Sequence, residues 1–98
     1  MIEKTIYKTK EYGKVKFLLN VENADIVEVR GLNGDWLTPV EMKQRKKDGI
    51  YWVEVQLPKD SRHEFRYFIN NEYWLNEPDA DGQQENAFGD SNSVLVMS

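Results

Sequence analysis

Apolar residues recur at every second position along five segments, and this period of two constrains the fold more than any other feature. Successive side chains of a β-strand point to opposite faces, so such a pattern predicts strands with one buried face. No segment shows the 3.6-residue period of an amphipathic helix. The predicted inward-facing residues are Val15, Phe17 and Leu19; Val27 and Val29; Tyr51, Val53, Val55 and Leu57; Phe65, Tyr67 and Ile69; and Val94 and Val96.

Turn-forming residues separate these segments at short intervals. Examples are Gly31–Gly34, Asp48-Gly49 and Asn70-Asn71. Short strands punctuated in this way are typical of antiparallel sandwiches. We therefore predict an all-β fold: one antiparallel β-sandwich of two packed sheets over residues 1–98. The stretch from Asn76 to Ser91 shows no strand pattern, and we expect it to be a long loop of the kind that often carries function.

Composition excludes several classes of function. Thirteen basic and seventeen acidic residues give a net charge of −4, which disfavours nucleic acid and anionic membranes as partners. The chain has no cysteine, so it has no disulfide scaffold and no thiolate metal site. It shows neither a signal-peptide core nor an apolar run long enough to span a bilayer, so we expect a cytoplasmic protein.

Catalytic, metal and cofactor motifs are also missing from the sequence. His63 is the only histidine, and its charged neighbours lead us to expect a solvated strand residue. Asp79-Ala80-Asp81-Gly82 resembles part of a calcium loop, but Phe88 falls where the bidentate Glu belongs. We therefore expect no catalytic residues, no metal and no cofactor, and a protein that is not an enzyme.

Four fragments, in order, resemble the early-set domain at the N-terminus of isoamylases and glycogen branching enzymes. This group is also called the family-48 carbohydrate-binding modules and includes the glycogen-binding domain of the AMP-activated protein kinase β subunit. Its pattern is a strand ending in G-x-F-N-x-W, a hairpin Y-x-F-x-V-D-G, then W-x-x-D-P and a closing N-S-V-x-V. The matching fragments are Val29–Trp36, Phe65–Asn71, Tyr73–Pro78 and Phe88–Val96.

The resemblance implies an immunoglobulin-like (early-set) sandwich that binds α-glucan, such as glycogen, starch or a maltooligosaccharide. In glycogen-binding members two tryptophans form a platform under the sugar, and a basic residue, an apolar rim and an Asn contact its edge. Carried over residue by residue, this site falls on Trp36, Arg66, Trp74, Phe88 and Asn92. The resemblance also implies a glucan-metabolising enzyme as a possible partner.

Two departures from the family pattern concern backbone turns. The motif Gly31-Leu32-Asn33-Gly34-Asp35-Trp36 shifts the Leu-Asn pair by one residue, so either the loop differs or Leu32 fills the core position. Asn71 replaces the hairpin Gly, which Asn can do because it tolerates the left-handed backbone.

The tryptophans have alternative interpretations. Trp36 is either a loop anchor folded onto the core or an exposed platform, and Trp74 is more often a platform because Tyr73, Trp74 and Leu75 cannot all face inward. We expect Trp52 to point away from the core, covered by the N-terminal segment around Ile6 and Tyr7. The alternative function is a protein–protein docking module that is associated with a glucan-active enzyme and has lost the sugar site.

Overall fold

The computed structural model describes residues 1–98 and contains ten strands, one short 3₁₀ turn and no α-helix. The prediction of an all-β sandwich of two antiparallel sheets is confirmed. No helix is long and apolar enough to cross a membrane. The strands are β1 (Ile2–Ile6), β2 (Tyr12–Leu19), β3 (Val27–Arg30), β4 (Val40–Glu41), β5 (Lys43–Gln44), β6 (Tyr51–Pro58), β7 (Ser61–Ile69), β8 (Tyr73–Leu75), β9 (Gly82–Glu85) and β10 (Ser91–Met97).

One sheet has the order β1-β2-β6-β5, and the other has β4-β3-β7-β10-β9 with β8 also paired to β7. Strand β7 is long enough to hold two partners along one edge: β10 pairs with its first half and β8 with its second half. The chain crosses between the sheets at Met42, which is buried between β4 and β5. Strands β3, β7, β8 and β10 thus form one continuous surface, and this surface positions the site.

The core lies between the two sheets. Val15 and Phe17 from β2 face Phe65 and Tyr67 from β7, and the ring of Phe17 lies edge-on to that of Phe65 at 5.1 Å between centroids. Edge-to-face aromatic pairs of this kind add stability beyond the area they bury. The predicted inward faces of β2, β3 and β7 are confirmed. Val53 and Val55 are only half-buried, although they pack against the same core.

The predicted inward face of the last strand is wrong by one residue. Ser93, Leu95 and Met97 face the core, whereas Val94 is buried as predicted but pairs with Glu64 on the other face of the sheet. A serine can face inward here because its Oγ accepts a hydrogen bond from the Glu77 backbone N–H and donates one to Asn76 Oδ1. The hydrophobic pattern alone could not reveal a satisfied polar residue in the core.

Three further expectations need correction. His63 is buried, with 5% of its surface exposed, because it shares the inward face of β7 with Phe65 and Tyr67. Residues 82–85 of the expected loop form β9, an edge strand with both faces largely exposed and therefore without alternation. Trp52 does point outward, as predicted, but Ile6 does not cover it, because Ile6 pairs with Gly13 at the far end of β2. The side chain beside Trp52 is that of Lys16, whose Nζ lies 5.7 Å from the centroid of the indole.

A buried carboxylate anchors the segment between β8 and β10. Glu77 has no exposed surface, and its side chain accepts hydrogen bonds from Tyr67 Oη at 2.6 Å, the Asp79 backbone N–H and the amino group of Met1. Burial would raise the pKa of Glu77, but these hydrogen bonds outweigh it and the pKa is lowered. These contacts at Glu77 therefore fix the start of the segment that follows β8.

The register of β10 can be tested with two neighbouring residues. Leu95→Ala should lower the free energy of unfolding by about 2–5 kcal/mol, because it leaves a cavity between the sheets. Val96→Ala, on the opposite face, should cost about 1 kcal/mol or less. Urea denaturation of both variants measures the difference, and equal costs would contradict this register.

Candidate functional site: an aromatic cleft

The candidate site lies on the outer face of the larger sheet, built by the residues that alternate with its core. Arg66 and Phe68 of β7 point outward between Phe65, Tyr67 and Ile69. The cross-strand partner of Arg66 is Arg30, and that of Phe68 on the other edge is Trp74. Strand alternation and pairing therefore bring these side chains together.

Trp74 is the centre of the site. Its indole stacks on the ring of Phe68 at 4.2 Å between centroids with an interplanar angle of 28°. The guanidinium of Arg30 lies 5.0 Å from the centroid of Phe68, and that of Arg66 lies 5.5 Å from the centroid of Trp74. Trp74 nevertheless keeps 37% of its surface exposed, so it is held in place and open to solvent.

Trp36 reaches the site from the loop after β3. Its ring centroid lies 6.1 Å from that of Trp74, and the two indole planes meet at 71°. Gly31 makes this position possible, since a Cβ on Gly31 would lie 2.7 Å from the Trp36 ring. Leu32 is buried in the following 3₁₀ turn while Asn33 is exposed, which resolves the shifted Leu-Asn pair in favour of Leu32 filling the core.

Arg66 supplies hydrogen-bond donors at the edge of the aromatic pair. One terminal nitrogen donates to Asp90 Oδ2 at 3.0 Å, while the buried Nε has no partner. Asp90 also accepts the Ser91 backbone N–H, and this bond together with the charge of Arg66 lowers the pKa of Asp90. The carboxylate therefore stays ionised and keeps Arg66 oriented.

Two hydrogen-bonded turns hold large apolar side chains out into solvent beside the cleft. Asn86 Oδ1 accepts the backbone N–H groups of Phe88 and Asp90, and the Phe88 side chain is 93% exposed. Asp35 Oδ1 accepts the N–H groups of Leu37 and Thr38, and Leu37 is 87% exposed. Leu37 and Phe88 lie in one cleft with Trp36 and Trp74, and a contiguous exposed apolar patch marks a binding surface.

Asn92 differs from the other predicted site residues because both ends of its amide are already bonded. Its Nδ2 donates to Glu64 Oε1 at 3.2 Å, and its Oδ1 accepts from Asn86 Nδ2 at 3.3 Å. Only 8% of its surface is exposed. Asn92 and Asn86 both line the cleft, and Asn92 supports Asn86 through this hydrogen bond.

All five residues that the sequence singled out line one open cleft of about 480 Å³. The structure adds three that sequence reasoning missed: Arg30, Leu37 and Asn86. Strand parity could have found Arg30, which alternates with the core residue Val29. Asn86 and Leu37 carried no signal, because loop geometry alone brings them to the cleft.

The cleft is close to electrically neutral. Arg30 forms an ion pair with Glu28 at 2.9 Å, and Arg66 forms one with Asp90. No group of three or more His, Cys, Asp or Glu side chains is arranged to hold a metal ion. Paired charges and exposed aromatic faces suit a neutral, polar ligand better than an anion.

Comparison with known proteins finds similarity at the level of structure only. No protein-family model matches the chain, and no curated protein matches it. An enterobactin esterase from Shigella flexneri, solved in the presence of 2,3-dihydroxy-N-benzoyl-serine, matches 98% of the chain with a TM-score of 0.77 and 13% identity. The ferric enterobactin esterase from Salmonella typhimurium matches the same share with a TM-score of 0.74 and 12% identity.

These similarities concern the fold. The chain spans about one third of each esterase, 32% of the first and 34% of the second. At this level of identity the match shows a shared sandwich and carries no information about chemistry.

A pair of glycine substitutions tests how Trp36 is held. Gly31 and Gly34 both have positive φ, 107° and 74°, but only a Cβ at Gly31 would meet other atoms, namely Trp36 and the carbonyl oxygen of Glu64. Gly31→Ala should displace the Trp36 ring, change its fluorescence and lower the free energy of unfolding by about 1–3 kcal/mol.

Gly34→Ala is the matched control, since it carries only the conformational cost of about 1 kcal/mol. It should leave the fluorescence spectrum unchanged. Identical spectra for the two variants would show that Gly31 does not position Trp36.

Proposed function

We propose that the chain binds α-glucan at the aromatic cleft and acts without catalysis. The observation that carries the proposal is the pair of indoles, Trp36 and Trp74, whose planes meet at 71° in one open cleft. Sugar rings pack their C–H faces against aromatic faces, which are electron-rich. Two faces at a steep angle match successive rings of a curved chain, as in α-1,4-linked glucose, better than the flat ribbon of a β-1,4-linked chain.

The polar groups around the indoles fit sugar hydroxyls. Arg66 offers donors beside Trp74, and the Asn86 amide offers both a donor and an acceptor at the other wall. The paired charges leave no net field for an anionic ligand. The cleft is shallow and open, so we expect weak binding to a single oligosaccharide, with a dissociation constant of about 10 μM to 1 mM. A branched polymer would bind more tightly through repeated contacts.

The resemblance to the glycogen-binding modules supports the same ligand and the same five residues. It further leads us to propose a cytoplasmic protein that works beside a glucan-metabolising enzyme. The structural neighbours are esterases, and the chain covers only a third of them, so their activity is not transferred to it.

The proposal is tested by removing one indole at a time. Trp74→Ala and Trp36→Ala should each weaken maltoheptaose binding about ten-fold, equivalent to about 1.4 kcal/mol of lost stacking. Trp52→Ala is the matched control, because Trp52 lies on the outer face of the other sheet. Calorimetric titration of the four proteins, with melting curves beside them, separates lost binding from lost stability.

Ligand controls give this experiment its specificity. Cellohexaose, with β-1,4 links, should bind more weakly than maltoheptaose. No binding of maltoheptaose by the wild type at about 10 mM, far above the expected dissociation constant, would reject the carbohydrate proposal. Tighter binding of 2,3-dihydroxy-N-benzoyl-serine, the compound present with the Shigella enzyme, would also reject it and would assign the cleft to an aryl ligand.

A second candidate is a docking module for another protein. The observation that favours it is the exposure of Leu37 and Phe88 on two hydrogen-bonded turns at the cleft wall. The esterases of the same fold, which are about three times as long, show that this sandwich also occurs within larger chains. The double variant Leu37→Ser/Phe88→Ser would abolish a protein interaction. It should affect glucan binding less than the loss of either tryptophan.

A further inference from the structure

We propose that His63 is a positioning residue for the aromatic cleft. In its neutral form it holds the turn that carries Trp36, and protonation releases that turn. The release of the turn on protonation concerns the free protein alone. A consequence, that ligand binding weakens in acid, rests on the proposed function.

Hydrogen bonding fixes the protonation state of the ring. The backbone N–H of Asn33 donates to His63 Nδ1 at 3.0 Å, so Nδ1 is an acceptor and carries no proton. On the other side, Nε2 lies 2.7 Å from Ser61 Oγ, and the Ser61 hydroxyl donates to the carbonyl oxygen of Pro58. Ser61 Oγ is therefore the acceptor for Nε2–H. The ring is neutral, with its single proton on Nε2.

Protonation of Nδ1 would turn its N–H toward the N–H of Asn33. Two donors would then face each other at 3.0 Å in a nearly buried place, and the hydrogen bond would be lost. A buried donor without a partner and a charged ring without a counter-ion are both unfavourable. The least costly response is movement of Asn33, which is exposed, rather than of His63, which lies in a central strand.

The turn at Asn33 connects directly to Trp36. Residues Leu32–Gly34 form the 3₁₀ turn, Asp35 N–H donates to the Leu32 carbonyl, and Gly31 N–H donates to the Asp35 carbonyl. These hydrogen bonds link Asn33 to Trp36 along the chain, so a displacement at Asn33 is passed to the exposed part of the turn that carries Trp36, while Leu32 stays in the core. The bond from Asn33 to His63 joins this turn to β7, and the Trp36 ring packs back onto Gly31.

No charged group opposes or assists this titration. Arg62 and Glu64 flank His63 but point to the opposite face of β7, and its partner on β10 is the apolar Leu95. Asp35, at the end of the turn, bonds to Leu37 and Thr38 instead. Asp60 lies in the hairpin before β7. Gln56 and Leu57, which line the same hollow as Asn33 on the β6 side, carry no charge.

The pKa of His63 is lowered, and burial is the only cause of this shift. As the pH falls, the unfolded chain therefore binds a proton before the folded protein does. Stability should decrease from the ordinary pKa of about 6.5 downward to the lowered value in the folded protein. The pKa values of Asp35 and Asp90 are lowered below the ordinary value of an aspartate, so these two carboxylates stay ionised as His63 begins to titrate.

The test in the free protein follows backbone and indole resonances by NMR from about pH 7.5 to about pH 4, a range that spans the histidine titration. The Asn33 amide and the Trp36 indole N–H should shift with the same midpoint as the His63 ring, while the Trp52 indole stays constant. The neutral ring should show its proton on Nε2. No glucan is needed, so this result stands even if the chain binds no sugar.

The variant His63→Asn tests the coupling to binding. The Asn Oδ1 can take the place of Nδ1 as acceptor for Asn33 N–H, but it does not titrate. Maltoheptaose affinity of the wild type should fall about ten-fold more than that of His63→Asn between these pH values. If His63 had only a structural role, its replacement by Asn would weaken maltoheptaose binding at every pH.

Two results would overturn the proposal. One is an Asn33 amide that does not follow the titration of His63 in the free protein. The other is the same loss of affinity with acid in wild type and His63→Asn, both shown to be folded by circular dichroism. If the wild type binds no maltoheptaose at any pH, the proposed function fails, and the resonances of the free protein still decide the role of His63.

Discussion

The core of the sandwich and the aromatic cleft are built on opposite faces of strand β7. His63, Phe65, Tyr67 and Ile69 point inward and form the centre of the core, while Arg66 and Phe68 between them support Trp74 on the outside. Because strand side chains alternate strictly, a shift of one residue in β7 would expose the core and bury the arginines together. The register of the sandwich therefore fixes the part of the cleft that is built on strands β7 and β8.

Buried polar contacts attach the connecting segments to the larger sheet. The Glu77 carboxylate bonds to Tyr67 Oη beneath the sheet and fixes the chain where it leaves β8. His63 fixes the turn before Trp36 in a similar way, through the N–H of Asn33. Both contacts depend on protonation, because the Glu77 carboxylate must be charged and the His63 ring must be neutral. The loops that carry Phe88 and Leu37 are closed by Asn86 and Asp35 in exposed turns.

The sequence predicted the fold and five of the eight residues that line the cleft, but it predicted less well how they are held. Alternation was sufficient for β2, β3 and the apolar residues of β7. It failed for β10 and His63, where Ser93 and the imidazole are buried with their hydrogen bonds satisfied. A pattern of hydrophobicity cannot anticipate such partners, because they come from distant parts of the chain. Asn92 was placed in the cleft by the family resemblance, and the sequence did not reveal that its amide is bonded to Glu64 and Asn86.

The central claim, that the cleft is a sugar site, is tested most directly by the indole N–H resonances of the three tryptophans during titration with maltoheptaose. Trp36 and Trp74 line the cleft, and Trp52 lies on the other sheet, so one spectrum contains both the site and its control. The account predicts saturable shifts of the first two resonances, with one dissociation constant, and a constant third. Three unchanged resonances at saturating sugar, or a shift confined to Trp52, would contradict it.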